Sequence, residues 1–156
     1  MKLPKSKVPD GYNWTIEYTN DVKSFDPKLL KLHLEPEQKD GYIKGKVLVD
    51  RMKSKGLSAN VLDYLLDNHR MIPSEWKGKW VYFWGTVYRG SVGYLCVRCL
   101  FWSGDGWSWD CGWLDGGWGS RNPALLLAST EVSEANTSLD ILPSELVING
   151  ITYIKK

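Results

Sequence analysis

The chain has 156 residues, a formal charge of +2, 43% apolar and 24% charged side chains, and nine tryptophans. That length suits one domain with at most a small appendage, and the composition excludes disorder, collagen and coiled coil as descriptions of the whole. No stretch approaches the roughly 18 apolar residues of a membrane span. Twenty basic against eighteen acidic residues, with no run of five or six like charges, argues against a dedicated polyanion binder.

Residues 1–10, rich in lysine and proline, read as a flexible lead-in. They lack the apolar run of a secretory signal, so a cytoplasmic location is expected. Residues 11–128 read as a single α+β domain. In its first part, 11–71, Trp14, Ile16 and Tyr18 alternate with polar residues as a strand, and Leu30, Leu32 and Leu34 do the same. Pro36 suits the first turn of a short helix ending near Asp40-Gly41. Ile43, Val47, Leu48 and Met52 have helical spacing, with Gly56 placed as a C-cap. Ser58 is placed to cap a second helix whose stripe is Val61, Leu62, Leu65, Leu66 and His69. Pro73 ends it, and a single turn follows through Trp76.

The composition then shifts. Residues 76–118 hold eight of the nine tryptophans and all three cysteines. Three strand-like runs, roughly 79–88, 94–102 and 107–114, are separated by short Gly-containing turns, the pattern of an antiparallel β-meander. Leu125 to Leu127 suggests a further buried strand, 129–140 a polar linker, and Asn149-Gly150 a C-terminal β-hairpin over 141–156. The expected architecture is therefore an antiparallel Trp-rich meander, with N-terminal strands and two or three short helices packed on one face.

Turn lengths set a register for the meander. Tyr88 opposite Tyr94 places Trp84 opposite Arg98 and Tyr82 opposite Leu100. Trp102 opposite Trp107 places Leu100 opposite Trp109, Arg98 opposite Cys111, and Cys96 opposite Trp113. One face then gathers Trp80, Tyr82, Trp84, Tyr88, Tyr94, Trp102, Trp107, Trp109 and Trp113 around Arg98. The other gathers Val81, Phe83, Val87, Leu95, Val97, Cys99 and Phe101, with Ser108, Asp110 and Gly112, and suits the helix stripe. A slip of one residue exchanges the two sets. The aromatic face is either core beneath other elements or a binding platform, on which a contact between Arg98 and Trp84 is expected.

Catalytic and metal motifs fail on geometry. Cys96 and Cys99 are three apart on a strand and point to opposite faces, so they form neither a zinc knuckle nor a redox pair. Cys96 and Cys111 share a face on neighbouring strands and are the one conceivable disulfide. Residues 41–47 lack the spacing and hydroxyl of a phosphate loop. His33 and His69 suit surface or capping roles. Asp105, Asp110 and Asp115 recur among tryptophans, a combination used by sugar-binding sites, although Asp105 and Asp115 each precede glycine in turns.

Several stretches resemble a group of uncharacterised tryptophan-rich proteins in candidate-phyla bacteria. They are Phe25-Asp26-Pro27, Leu34 with Glu37-Gln38-Lys39, residues 59–66, Ile72-Pro73 with residues 75–79, residues 83–86 with Tyr88-Arg89, residues 95–98, and Asn122-Pro123-Ala124. The resemblance covers roughly 12–128 and implies a bacterial intracellular origin. It carries no activity and no catalytic residue.

The residues point to a non-catalytic binding or regulatory module, without cofactor or metal, whose aromatic surface meets a protein partner or a second copy. Trp84, Arg98, Trp109, Trp113, Asp110, Tyr82 and Trp102 are the binding candidates. Single-stranded nucleic acid stacked on the sheet, with Lys77, Lys79, Arg89 and Arg98 at its edges, and a carbohydrate ligand are the alternatives.

Overall fold

Alternating and helical patterns become elements close to where they are expected. In the computed structural model these are β1 (Thr15–Thr19), β2 (Leu30–His33), α1 (Pro36–Asp40), β3 (Ile43–Lys44), α2 (Gly45–Met52) and α3 (Ala59–Asp67). They continue with β4 (Val81–Tyr82), β5 (Thr86–Arg89), β6 (Leu95–Trp102), β7 (Trp107–Trp113), β8 (Gly117–Trp118) and β9 (Ala124–Leu127). The structure describes residues 2–128 and, as backbone alone, Pro143–Ile148 and Gly150–Ile154. The linker expected at 129–140, and Asn149 at the turn of the expected hairpin, lie outside the described residues.

The fold is α+β. A curled, mostly antiparallel sheet runs in the order β1-β5-β6-β4-β9-β2, and β7 pairs with the other side of β6. The exception to the antiparallel rule is β9, which runs parallel to β4. A separate ribbon joins β3 to β8, with Ile43 opposite Trp118. Neither the ribbon nor the inner position of β9 is legible in local periodicity, because both arise from contacts distant in sequence.

The second meander turn has the expected register, with Trp102 opposite Trp107, Arg98 opposite Cys111 and Cys96 opposite Trp113. The first does not. The run 79–88 is broken at residues 83–85, leaving Val81 opposite Leu100 and Tyr82 opposite Cys99, but Tyr88 opposite Cys96. The cause is Gly85. Its amide donates to the Leu57 carbonyl (3.0 Å) and its carbonyl accepts from the Asn20 amide (2.8 Å), so its ladder bonds leave β6. A Cβ there would lie 2.6 Å from the Gly56 carbonyl oxygen, an approach only glycine permits. The odd offset turns Val81 and Phe83 to the Arg98 face and Tyr82 and Trp84 to the other.

Two large cores result, one on each face, beside a smaller buried cluster of Ala59, Tyr88 and Cys96. Leu62 and Leu65 of α3 pack with Val81, Phe83, Leu100 and Leu125. The helix stripe therefore sits on the Arg98 face, not on the aliphatic face expected for it. On the opposite side Leu48 and Met52 of α2 pack with Tyr82, Trp84, Val97, Cys99 and Trp118. Gly112 makes room there, since a Cβ would stand 2.5 Å from the Trp118 ring.

The N-terminal residues, expected to be a flexible lead-in, are instead bonded to the domain. Ser58 occupies the N-cap of α3 without capping through its own side chain. The first helical amides donate elsewhere, Ala59 to Thr86 Oγ1 (2.9 Å) and Asn60 to Ser6 Oγ (3.0 Å). The Asn60 side-chain amide donates to the carbonyls of Pro4 (2.9 Å) and Val22 (2.7 Å). The Ser6 amide donates to Asp21 (3.2 Å). Partial burial would raise the Asp21 pKa, but hydrogen bonds from Ser6 and Thr19 outweigh it and hold the carboxyl below its ordinary value. A depressed folded pKa contributes stability above the unfolded value near 3.8 and loses it as pH falls through the folded value. Asp21→Asn is therefore expected to flatten the pH dependence of urea stability below about pH 4 and leave the profile above pH 6 parallel to wild type.

Candidate functional site

The sheet's Arg98 face opens into a cleft of about 460 Å3 lined by Lys7, Pro9, Asp10, Tyr12, Asp63, Arg98 and Trp109. β6 supplies Arg98 and β7 supplies Trp109, on neighbouring strands and one face. α3 supplies Asp63, on the turn after its buried N-terminus. The bonded N-terminal segment forms the remaining wall.

Arg98 is only 2% exposed. Its two terminal nitrogens donate to the Asp63 carboxylate at 2.9 and 3.3 Å, and the guanidinium carbon lies 4.3 Å from the centre of the Trp109 ring. A buried cation is tolerable because a bidentate carboxylate and a ring face replace its water. Arg98 Nε has no hydrogen-bond partner among the described residues. Four charged side chains line the cleft, Lys7 and Arg98 against Asp10 and Asp63, so their charges cancel.

Beside the cleft, Tyr12 packs on Trp109 (centroids 5.3 Å apart), and Trp14 meets Trp109 and Trp113 edge-on at 6.2 and 6.3 Å. Tyr12 and Trp113 remain 48% and 42% exposed. Trp113 lies over Gly90, where a Cβ would come within 3.0 Å of the ring.

The seven sequence candidates thus separate. Arg98 and Trp109 come together at the cleft, whereas Trp113, on the same face of the sheet, lines a different cavity and is linked to Trp109 through Trp14. Trp84 and Tyr82 do not come to the cleft, because they are buried on the opposite face against Trp118, and Trp109 replaces Trp84 as the partner of Arg98. Trp102 lies at the far end of the strands, against Trp107 and beneath the Lys77 ammonium (3.9 Å). Asp110 is exposed on β7, where its carboxylate accepts from the Cys111 amide (2.8 Å). Asp105, Asp110 and Asp115 do not converge in a cleft; Asp115 pairs at 3.5 Å with Lys46. Periodicity offered no signal for Lys7, Asp10 or Tyr12. Asp63 was recoverable, one residue past Leu62 on the polar flank of the α3 stripe.

The thiols differ sharply. Cys99 is buried, and that burial pushes its pKa up to about 12. Cys96 and Cys111 share a hydrogen bond beside Arg98, which raises the buried Cys96 and lowers the half-buried Cys111. Both remain free thiols. A folded-state titration with an aromatic disulfide reagent at pH 8 is expected to modify Cys111 first, and Cys111→Ser to abolish the fast phase.

Among the described residues no helix is long and apolar enough to cross a membrane, and no three His, Cys, Asp or Glu side chains cluster as a metal site. Comparison with protein-family models, curated proteins and solved structures finds no match.

Proposed function

We propose that the protein is a non-catalytic binding module whose partner is a polypeptide held at the Arg98 cleft and its aromatic rim. One observation carries this reading: Tyr12 stands exposed at a cleft whose floor is a buried, fixed guanidinium, and the exposed Trp113 continues the same sheet face beyond Trp14. Exposed aromatic side chains beside a preorganised charged group are the composition of interface hot spots. The cancelling charges of the cleft offer a polyphosphate backbone no net attraction, which places nucleic acid second. The scattered positions of Asp105, Asp110 and Asp115 remove the main motive for a carbohydrate-acting site.

The test separates binding from folding. Tyr12→Ser with Trp113→Ser is expected to cost less than the loss of one fully enclosed ring such as Trp84, because both rings keep nearly half of their surface in water. The same variant should lose polypeptides that the wild-type chain retains at fixed stoichiometry in a chemical cross-linking comparison. A stability loss equal to or above that of Trp84→Ala would make the rings core, and an unchanged cross-linking pattern would remove the proposed surface.

A further inference from the structure

The outer edge of β7 has its own chemistry. Asp110 accepts from the amide of Cys111, so that amide points away from β6, and the bond from the Leu114 amide to the Leu95 carbonyl (3.0 Å) fixes the same phase. The ladder bonds to β6 therefore belong to Ser108, Asp110 and Gly112, whereas Trp107, Trp109, Cys111 and Trp113 direct their backbone groups outward. Among the described residues β7 pairs with β6 alone. Among the described residues the amides of Trp107, Trp109 and Trp113 and the carbonyls of Trp107, Trp109 and Cys111 have no backbone partner on that outer side, while the Trp113 carbonyl accepts from Gly116 (3.1 Å). A seven-residue open edge is a template for one more strand.

Charge selects the strand. The exposed residues Asp105, Asp110 and Asp115 lie before, within and after β7, and among the described residues neither Asp105 nor Asp110 forms an ion pair. The side chains of Trp107, Trp109 and Trp113 lie on the Arg98 face, and that of Asp110 on the other. The geometry points to strand addition: β7 takes up an extended partner segment whose apolar side chains lie beside the tryptophans and whose lysines or arginines lie beside Asp110. The inference rests on the polypeptide-binding reading and names its mode. An arriving cation draws the Asp110 carboxylate off the Cys111 amide and frees that donor for the ladder, so charge recognition and edge opening are one event.

The probe is a blocked heptapeptide alternating valine with lysine, titrated into the full chain while backbone amide exchange is followed by NMR. The expected result is slower exchange at Trp107, Trp109 and Trp113, with Ser108 and Gly112 unchanged. Alternate N-methylation of the peptide, or glutamate in place of lysine, should abolish the effect. Asp110→Lys should weaken binding about five- to tenfold, and Asp110→Asn by less, each at an unchanged thermal midpoint. Quenching of Trp113 without slower amides would overturn strand addition while leaving the binding surface intact. Amides already slow in the free chain would overturn it too. Concentration dependence would then mean a second copy fills the edge, and independence would mean the chain's own C-terminal residues do. Absence of any binding also overturns it.

Discussion

Trp84→Ala is expected to lower stability by about 3–5 kcal/mol, because a large, fully enclosed side chain leaves a cavity that its neighbours only partly fill. Trp113→Ala, from the same meander, should cost clearly less, about 1–2 kcal/mol, because its ring keeps 42% of its surface in water. Urea unfolding of the two variants, with unchanged m-values, measures the contrast. Trp84→Phe should recover much of the loss, since the indole N–H of Trp84 is buried without a partner among the described residues and its removal relieves an unsatisfied donor. Equal costs for Trp84→Ala and Trp113→Ala would contradict the division of the tryptophans between core and rim.

Asp63→Ala should be the second costly change, at about 2–4 kcal/mol. It leaves Arg98 enclosed without its hydrogen-bonded counter-charge, and the value falls below that of a fully buried pair because the Asp63 side chain is itself 31% exposed. Arg98→Met with Asp63→Leu should restore most of this stability, since an apolar pair of similar volume needs no desolvation of charge. The same double variant should no longer present the cleft's fixed guanidinium, so stability would return while partner retention does not. A double-mutant cycle on stability, with cross-linking as the second readout, distinguishes a structural ion pair from one kept for recognition.

The residues that local pattern placed well are those whose neighbours are near in sequence. Alternation marked β1, β2 and β6, helical spacing marked α3, and the turn around Gly104 set the whole β6–β7 register. Arg98, Trp109 and Trp113 were placed on one face for that reason. The misplacement of Trp84 and Tyr82 has one physical source, the bend at Gly85, which depends on the approach of residues 56–58 from another part of the chain. No count of apolar residues in 79–88 contains that contact. The cleft's N-terminal wall was missed on the same ground, because the chain from Pro4 to Lys7 is held by hydrogen bonds from Asn60 and Tyr88 and not by any periodicity of its own. The Asp105, Asp110 and Asp115 recurrence was visible from the start, but its meaning changes once β7 is known to be an edge strand: it describes a strand margin, not a catalytic cleft.

The division of the tryptophan-rich meander into a buried half and an exposed rim is tested most directly by site-resolved solvent accessibility of the nine indoles, read by NMR with a soluble paramagnetic probe. Strong broadening at Trp113 and weaker broadening at Trp109, with Trp76, Trp84 and Trp118 unaffected, is the predicted result. A shielded Trp113 in the monomeric chain, or broadening at Trp84 comparable to that at Trp113, would contradict it.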